Sequence, residues 1–171
     1  MVRQRAVATW VAPPAILPQQ ILPRVRPATW NTAPMSAPQQ LMEQYRAAFM
    51  RADVRALVDC FTFPLQVVTV TDGEASPSVA DGEAWPGVID SLLGAYKRLG
   101  VTDCVPLATE IIEPIDAVAV VRVNWALLRE DSEPVYDFTA VYTLAQVAGR
   151  LRIVALAHDE LPKMRAALQA P

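Results

Sequence analysis

The order and period of the apolar residues predict an α+β fold. Its core is a curved antiparallel sheet of about five to six strands, with three helices from the N-terminal half on one face and a short C-terminal helix. Three observations carry this reading. Residues 39–70 read as helix, break, short helix and β-run. After Val101 the apolar period changes from 3.6 to 2. The later strands are joined only by short turns, which makes neighbours antiparallel.

The first 34 residues stand apart. They hold Pro13, Pro14, Pro18, Pro23, Pro27 and Pro34 and show neither helical nor strand period, so an extended, poorly ordered segment is expected. Arginines without acids fit a targeting peptide, but the prolines spoil an amphipathic helix and no continuous apolar core appears. Met35-Ser36-Ala37-Pro38 resembles a natural N-terminus, so residues 1–34 are read as an inert extension or the product of a mis-assigned start (Met1 rather than Met35). Residues 35–171 are read as one domain.

The elements follow in order. Ser36 or Pro38 opens a helix to about Arg51, with Leu41, Met42, Tyr45, Ala48 and Phe49 on one face. Asp53 caps a second helix through Asp59 that presents Val54, Leu57, Val58 and Phe61 to the core. Pro64 forbids its continuation, and Gln66–Thr71 is a strand. Thr71-Asp72-Gly73-Glu74 turns the chain into a strand at Ala75–Ala80. Asp81 caps a third helix with Pro86 in its first turn, a buried stripe of Val88, Ile89, Leu92, Ala95, Tyr96 and Leu99, and Gly100 as its stop. Four strands are expected at Asp103–Glu113, Ala117–Arg129, Val135–Gln146 and Arg150–His158. Asp159 then caps a closing helix to Ala170.

Composition narrows the function classes. The chain is 53 % hydrophobic with a mean hydropathy of +0.22, yet no apolar run approaches the roughly 20 residues of a membrane span. The surplus is expected to line a large interior, a pocket or a subunit interface. Arg3, Arg5, Arg24 and Arg26, with no acids, give residues 1–34 a charge of +4, so a chain of net −3 carries −7 in its folded part. That argues against a nucleic-acid surface. Cys60 and Cys104 lie in apolar surroundings without a C-x-x-C pattern and read as buried reduced thiols of a cytoplasmic protein, a disulfide or reactive thiol being the competing reading. One histidine and no clustered acids offer no metal shell, and no phosphate loop or nucleophile motif appears, so no cofactor is expected.

The segments YRAAFMRADVRALVDCFTFP (Tyr45–Pro64), Gly82–Gly100 and GRLRIVALAHDE (Gly149–Glu160) resemble the nuclear transport factor 2-like superfamily. This is the cone-shaped α+β fold of ketosteroid isomerase, scytalone dehydratase and polyketide cyclases. The resemblance covers roughly residues 38–161 and is closest to bacterial stand-alone members without an assigned activity. It implies a pocket at the open end of a cone and a homodimer through the outer sheet face. The isomerase's first-helix tyrosine falls on Tyr45. Its general-base aspartate falls on about Thr69 and its second oxyanion donor near Ala140, neither of which can do that work. Steroid isomerisation is therefore not expected.

The same comparison sets strand parity. Val121, Val123, Trp125 and Leu127 should face the cavity, as should Tyr136, Phe138, Ala140 and Tyr142, and Val154, Leu156 and His158. The expected ligand pocket is Tyr45, Trp125, Tyr136, Phe138, Tyr142 and His158, apolar with few polar groups, although the same character suits a plain core. His158, the only histidine, is either an acid or base or a strand-end residue bonded to backbone. Arg122 is expected to face outward, and Glu130–Glu133 to be solvated loop. Three functions compete. One is binding of a small apolar molecule. Another is a lyase, isomerase or cyclase, with Tyr45 as donor and His158 as acid or base. The last is an interaction protein that dimerises.

Overall fold

Ser36 begins the ordered chain by reciprocal capping. In the computed structural model, which describes residues 35–170, the Ser36 side chain accepts from the Gln39 N–H while the Gln39 side chain accepts from the Ser36 N–H. Residues 1–34, and the expectations attached to them, lie outside the described residues. Helix α1 (Ala37–Met50) buries Leu41, Met42, Tyr45 and Ala48, the face expected from its spacing. Asp53 accepts from the Ala56 N–H at 3.0 Å and caps α2 (Val54–Val58), which buries Leu57.

Strand β1 (Phe61–Thr71) starts earlier than expected and runs through Pro64, whose peptide bond is cis. The missing N–H costs no ladder bond there. β1 meets its neighbours at Phe61 and again only from Leu65 and Gln66, so Pro64 sits in a gap between pairings. Asp72 and Gly73, both at positive φ, turn it into β2 (Glu74–Ala80). Asp81 does not cap α3 (Trp85–Arg98) directly. It accepts from the Glu83 and Ala84 N–H groups at 3.0 and 2.7 Å, organising a turn one residue group ahead of a helix that begins at Trp85. Trp85, Ile89, Ala95 and Tyr96 form its buried face; Val88, expected among them, is 50 % exposed.

The remaining elements are β3 (Asp103–Ile115), β4 (Val118–Leu128), β5 (Pro134–Val147), β6 (Arg150–His158) and α4 (Glu160–Gln169). The strands form one sheet in the order β2-β1-β6-β5-β4-β3. It is mixed rather than purely antiparallel, because β1 and β6 run parallel. These two come from opposite ends of the fold, with α3 and four strands between them, and no hairpin dictates their relative direction. Both edges carry prolines, Pro77 in β2 and Pro106 in β3, which blunt edge-to-edge pairing. Register shifts in β3, at the β4–β5 and β5–β6 ladders and in β1 bend the sheet around the helices.

The concave face carries Val121, Val123, Trp125 and Leu127 from β4 and Phe138, Ala140 and Tyr142 from β5, all buried as expected. Strand β6 departs from its expected parity. The ladder shifts from Thr143↔Ala155 to Leu144↔Ile153, so Val154 falls in a bulge and Ile153 takes the fully buried place. Beyond the bulge, Leu156 and His158 oppose Tyr142 and Ala140 and keep the expected side. Arg122 is exposed on the outer face. No described helix is long and apolar enough to cross a membrane.

Candidate functional site

A cavity of about 750 Å³ opens between the concave sheet and helices α1, α3 and α4. Exposed residues of its lining, among them Ser78, Gly87, Val88, Arg98 and Leu168, mark the mouth. Val88 and Leu168 are apolar side chains held in solvent at that rim. This accounts for the place of Val88 on α3: it faces the entrance, not the core. The deeper wall is aromatic. Tyr45 meets Phe49, Phe61 and Tyr142 edge-on with ring centroids 4.9, 5.8 and 5.6 Å apart, and Phe61 meets Trp85 at 5.3 Å.

Five of the six side chains expected in the pocket line this space; Tyr136 does not, though its hydroxyl donates to Glu160, which does. They do not form one constellation. Trp125 Nε1 donates to the Tyr142 hydroxyl at 3.0 Å, and the Tyr45 ring packs edge-on against Tyr142, so these three sit together in the deep wall. Burial holds the Tyr45 and Tyr142 phenols well above their usual pKa, and they remain neutral.

His158 sits at the end of β6 between Thr69 on β1 and Ala140 on β5. Those are the two positions at which the isomerase pattern places its base and second donor, and all three residues line the cavity. Its Nδ1 is buried with no hydrogen-bond partner, so the backbone bond expected at the strand end is absent. Burial lowers its pKa against a smaller opposing pull from Asp159, and the ring is neutral near pH 7. Asp159 itself points away. Its carboxylate accepts from the Thr139 N–H at 2.8 Å and from Lys163 at 3.0 Å, rather than capping α4. Partial burial works against ionisation there, but those bonds outweigh it and hold the Asp159 pKa low.

The principal polar group of the site was not among the expected residues. Glu160, the first residue of α4, is 6 % exposed and lines the cavity. Its Oε1 accepts from Tyr96 of α3 at 2.5 Å and from Tyr136 of β5 at 3.0 Å. Burial raises its pKa to about 7, against the two phenol bonds that favour the carboxylate. A signal for it existed. Glu160, Met164 and Leu168 recur four residues apart on α4, which puts the acid at the head of the stripe that faces the cavity. Tyr96 had been read only as part of a buried stripe. Trp85 Nε1 is a further buried donor without a partner. Arg46 also lines the space, but its guanidinium is engaged by the Cys104 carbonyl, Asp103 and Glu43.

The thiols are inert by environment. Cys60 and Cys104 are free and buried. Burial pushes Cys60 up to about 11 and Cys104 higher still, far from a reactive thiolate.

Residues 36–160, the span holding α1, α2, α3 and the whole sheet, match the model of the family described as NTF2-like protein (DUF6841). The chain belongs to that family. Solved structures agree on the fold. A ketosteroid isomerase-like protein from Erwinia carotovora atroseptica is 17 % identical with a TM-score of 0.54, covering 72 % of this chain and 92 % of its own. An NTF2-like protein of unknown function from Shewanella oneidensis is 16 % identical with a TM-score of 0.53, covering 70 % and 93 %. An NTF2-like protein with a cystatin-like fold from Novosphingobium aromaticivorans is 16 % identical with a TM-score of 0.56, covering 78 % and 88 %. At such identities the likeness extends to architecture. No curated protein matches the sequence.

Proposed function

We propose that this NTF2-like protein binds a small, predominantly apolar molecule in its conical pocket. The observation that carries the reading is the cavity of about 750 Å³, a volume suited to a small organic ligand. Its wall of Tyr45, Phe49, Phe61, Trp85 and Phe138 is aromatic, and the rim at Val88 and Leu168 is greasy. Two buried nitrogens, Trp85 Nε1 and His158 Nδ1, have no hydrogen-bond partner among the described residues and are placed to fix a ligand's polar atoms.

The test is saturable binding of a neutral apolar dye such as Nile red, read by fluorescence. Gly87→Trp supplies the control. Gly87 lies at the mouth on α3, and a Cβ there meets nothing within 4 Å, so a bulky side chain blocks entry without disturbing the core. Wild type should bind with single-site saturation, and Gly87→Trp should weaken it at least about tenfold at an unchanged melting temperature. Dye signal that is linear, or indifferent to Gly87→Trp, would refute the pocket reading.

The second class, an acid–base enzyme, draws support from Glu160 and His158, two titratable groups lining the cavity: burial raises Glu160 to about 7 and lowers His158 from 6.5. In that reading Glu160 joins Tyr45 and His158 as a residue of interest, all three lining the cavity. We also propose a homodimer through the outer sheet face. Ile112, 52 % exposed, and Ile115, 67 % exposed, lie there beside Val120 and Val118. Asn124 Oδ1 is buried without a partner on the same side of β4.

A further inference from the structure

Glu160 poses a problem of charge pairing. Carboxylates are seldom buried unless a cation or several hydrogen bonds accompany them. Here both bonds go to one oxygen, Oε1, and Oε2 has no protein partner among the described residues. The titratable groups around it are Tyr45 from α1, Tyr96 from α3, Cys104 from β3, Tyr136 and Tyr142 from β5, and Asp159 on its own segment. None is a cation. The basic residues near the cavity are occupied or peripheral: Arg46 is paired with Glu43 and Asp103, Lys163 with Asp159 and Asp137, and Arg98 is exposed at the rim. His158 is neutral. The interior therefore holds one carboxyl with a free oxygen, facing an aromatic cavity.

We infer that Glu160 is the anchor for a cationic ligand group, so that the pocket takes a hydrophobic amine: an apolar body carrying one protonated nitrogen. This rests on the pocket reading above and specifies its ligand class. The ammonium would donate to Oε2, opposite the two phenols on Oε1, forming a charge-assisted bond inside an apolar site. The faces of the surrounding tyrosine rings add cation–π attraction. Tyr96 and Tyr136 act as positioning residues, since their bonds hold the carboxyl in place and favour its ionised form. An anionic ligand of the same shape is disfavoured by the same charge.

Three naphthalene probes of one size test this: naphthylmethylamine, naphthylmethanol and naphthoate, titrated against the full chain by calorimetry at pH 8. The amine should bind at least about tenfold more tightly than the alcohol, with naphthoate weakest. In Glu160→Gln, which keeps an acceptor for both phenols, the amine's advantage over the alcohol should vanish. In wild type the amine's affinity should rise between pH 6 and pH 8 as Glu160 ionises, while the alcohol's stays flat. Tyr136→Phe removes one bond that favours the carboxylate, so it should move that rise to higher pH. An amine no tighter than the alcohol, an advantage that survives Glu160→Gln, or a pH-independent amine affinity each overturns the inference. If the alcohol binds and the amine gains nothing, the pocket stands and only the amine assignment falls. If no probe binds, both fall.

Discussion

At the scale of single residues, Glu160 and His158 set opposite pH limits on the fold. Burial raises Glu160 from 4.5 to about 7. Between those values the folded chain keeps a proton that the unfolded chain has released. The stability tied to this group is therefore complete below about pH 4.5 and lost as pH climbs through 7, amounting to about 3 kcal/mol at most. His158, lowered from 6.5, has the reverse sign: its contribution is present above 6.5 and is lost as pH falls below it. Glu160→Gln should consequently match wild type at pH 5 and exceed it in urea unfolding by up to about 3 kcal/mol at pH 8. A gap that does not widen with pH would show that Glu160 ionises in the fold at the ordinary carboxylate pH. The tyrosines around it contribute no slope in this range, because burial and the Glu160 charge hold their phenols above it.

At the scale of elements, short helices depend on their caps more than on propensity. α2 has only five residues, too few to be stable alone, and it buries a single side chain fully, Leu57. The Asp53 carboxylate on the Ala56 N–H fixes where it starts. Asp53→Ala should lower the urea-unfolding free energy by about 1 kcal/mol while leaving dye binding intact, since Asp53 does not line the cavity. A loss of binding out of proportion to stability would mean that α2 helps shape the pocket. The strand elements show a different dependence. The β5–β6 hairpin turns at Ala148 and Gly149, both at positive φ, yet the bulge at Val154 rather than the turn decides which side chains reach the cavity. Period-2 reasoning counts residues, and a bulge adds one without changing composition. Val154 and Ile153 are equally apolar, so nothing in the sequence marked the switch.

At the scale of the whole molecule, the helices and the closing strands wrap one face of the sheet, leaving the other face to solvent or a partner. Sedimentation should find a dimer at micromolar concentration, and Ile112→Lys should shift it toward monomer without altering dye binding, because Ile112 does not line the cavity. A wild-type monomer under those conditions would sink the dimer proposal.

The sequence by itself determined most of the architecture. Helical and strand periods, proline positions and the turn residues at Asp72-Gly73 and Ala148-Gly149 are local properties, and they located all ten elements to within a few residues, β1 excepted. Helical spacing put Tyr45 on the buried face, and the strand parity implied by the family resemblance put Trp125, Phe138, Tyr142 and His158 on the cavity side, where they line it. Only the tertiary structure decided the parallel pairing of β1 with β6 and the mouth at Val88. It alone set the bond from Trp125 to Tyr142, the packing of Tyr45 on Tyr142, and the meeting of Tyr96, Tyr136 and Glu160. Each joins segments far apart in the chain. A carboxyl at the start of a helix reads as a solvated acid until β5 and α3 close over it. Its neutral-range pKa then comes from burial, which no local pattern encodes.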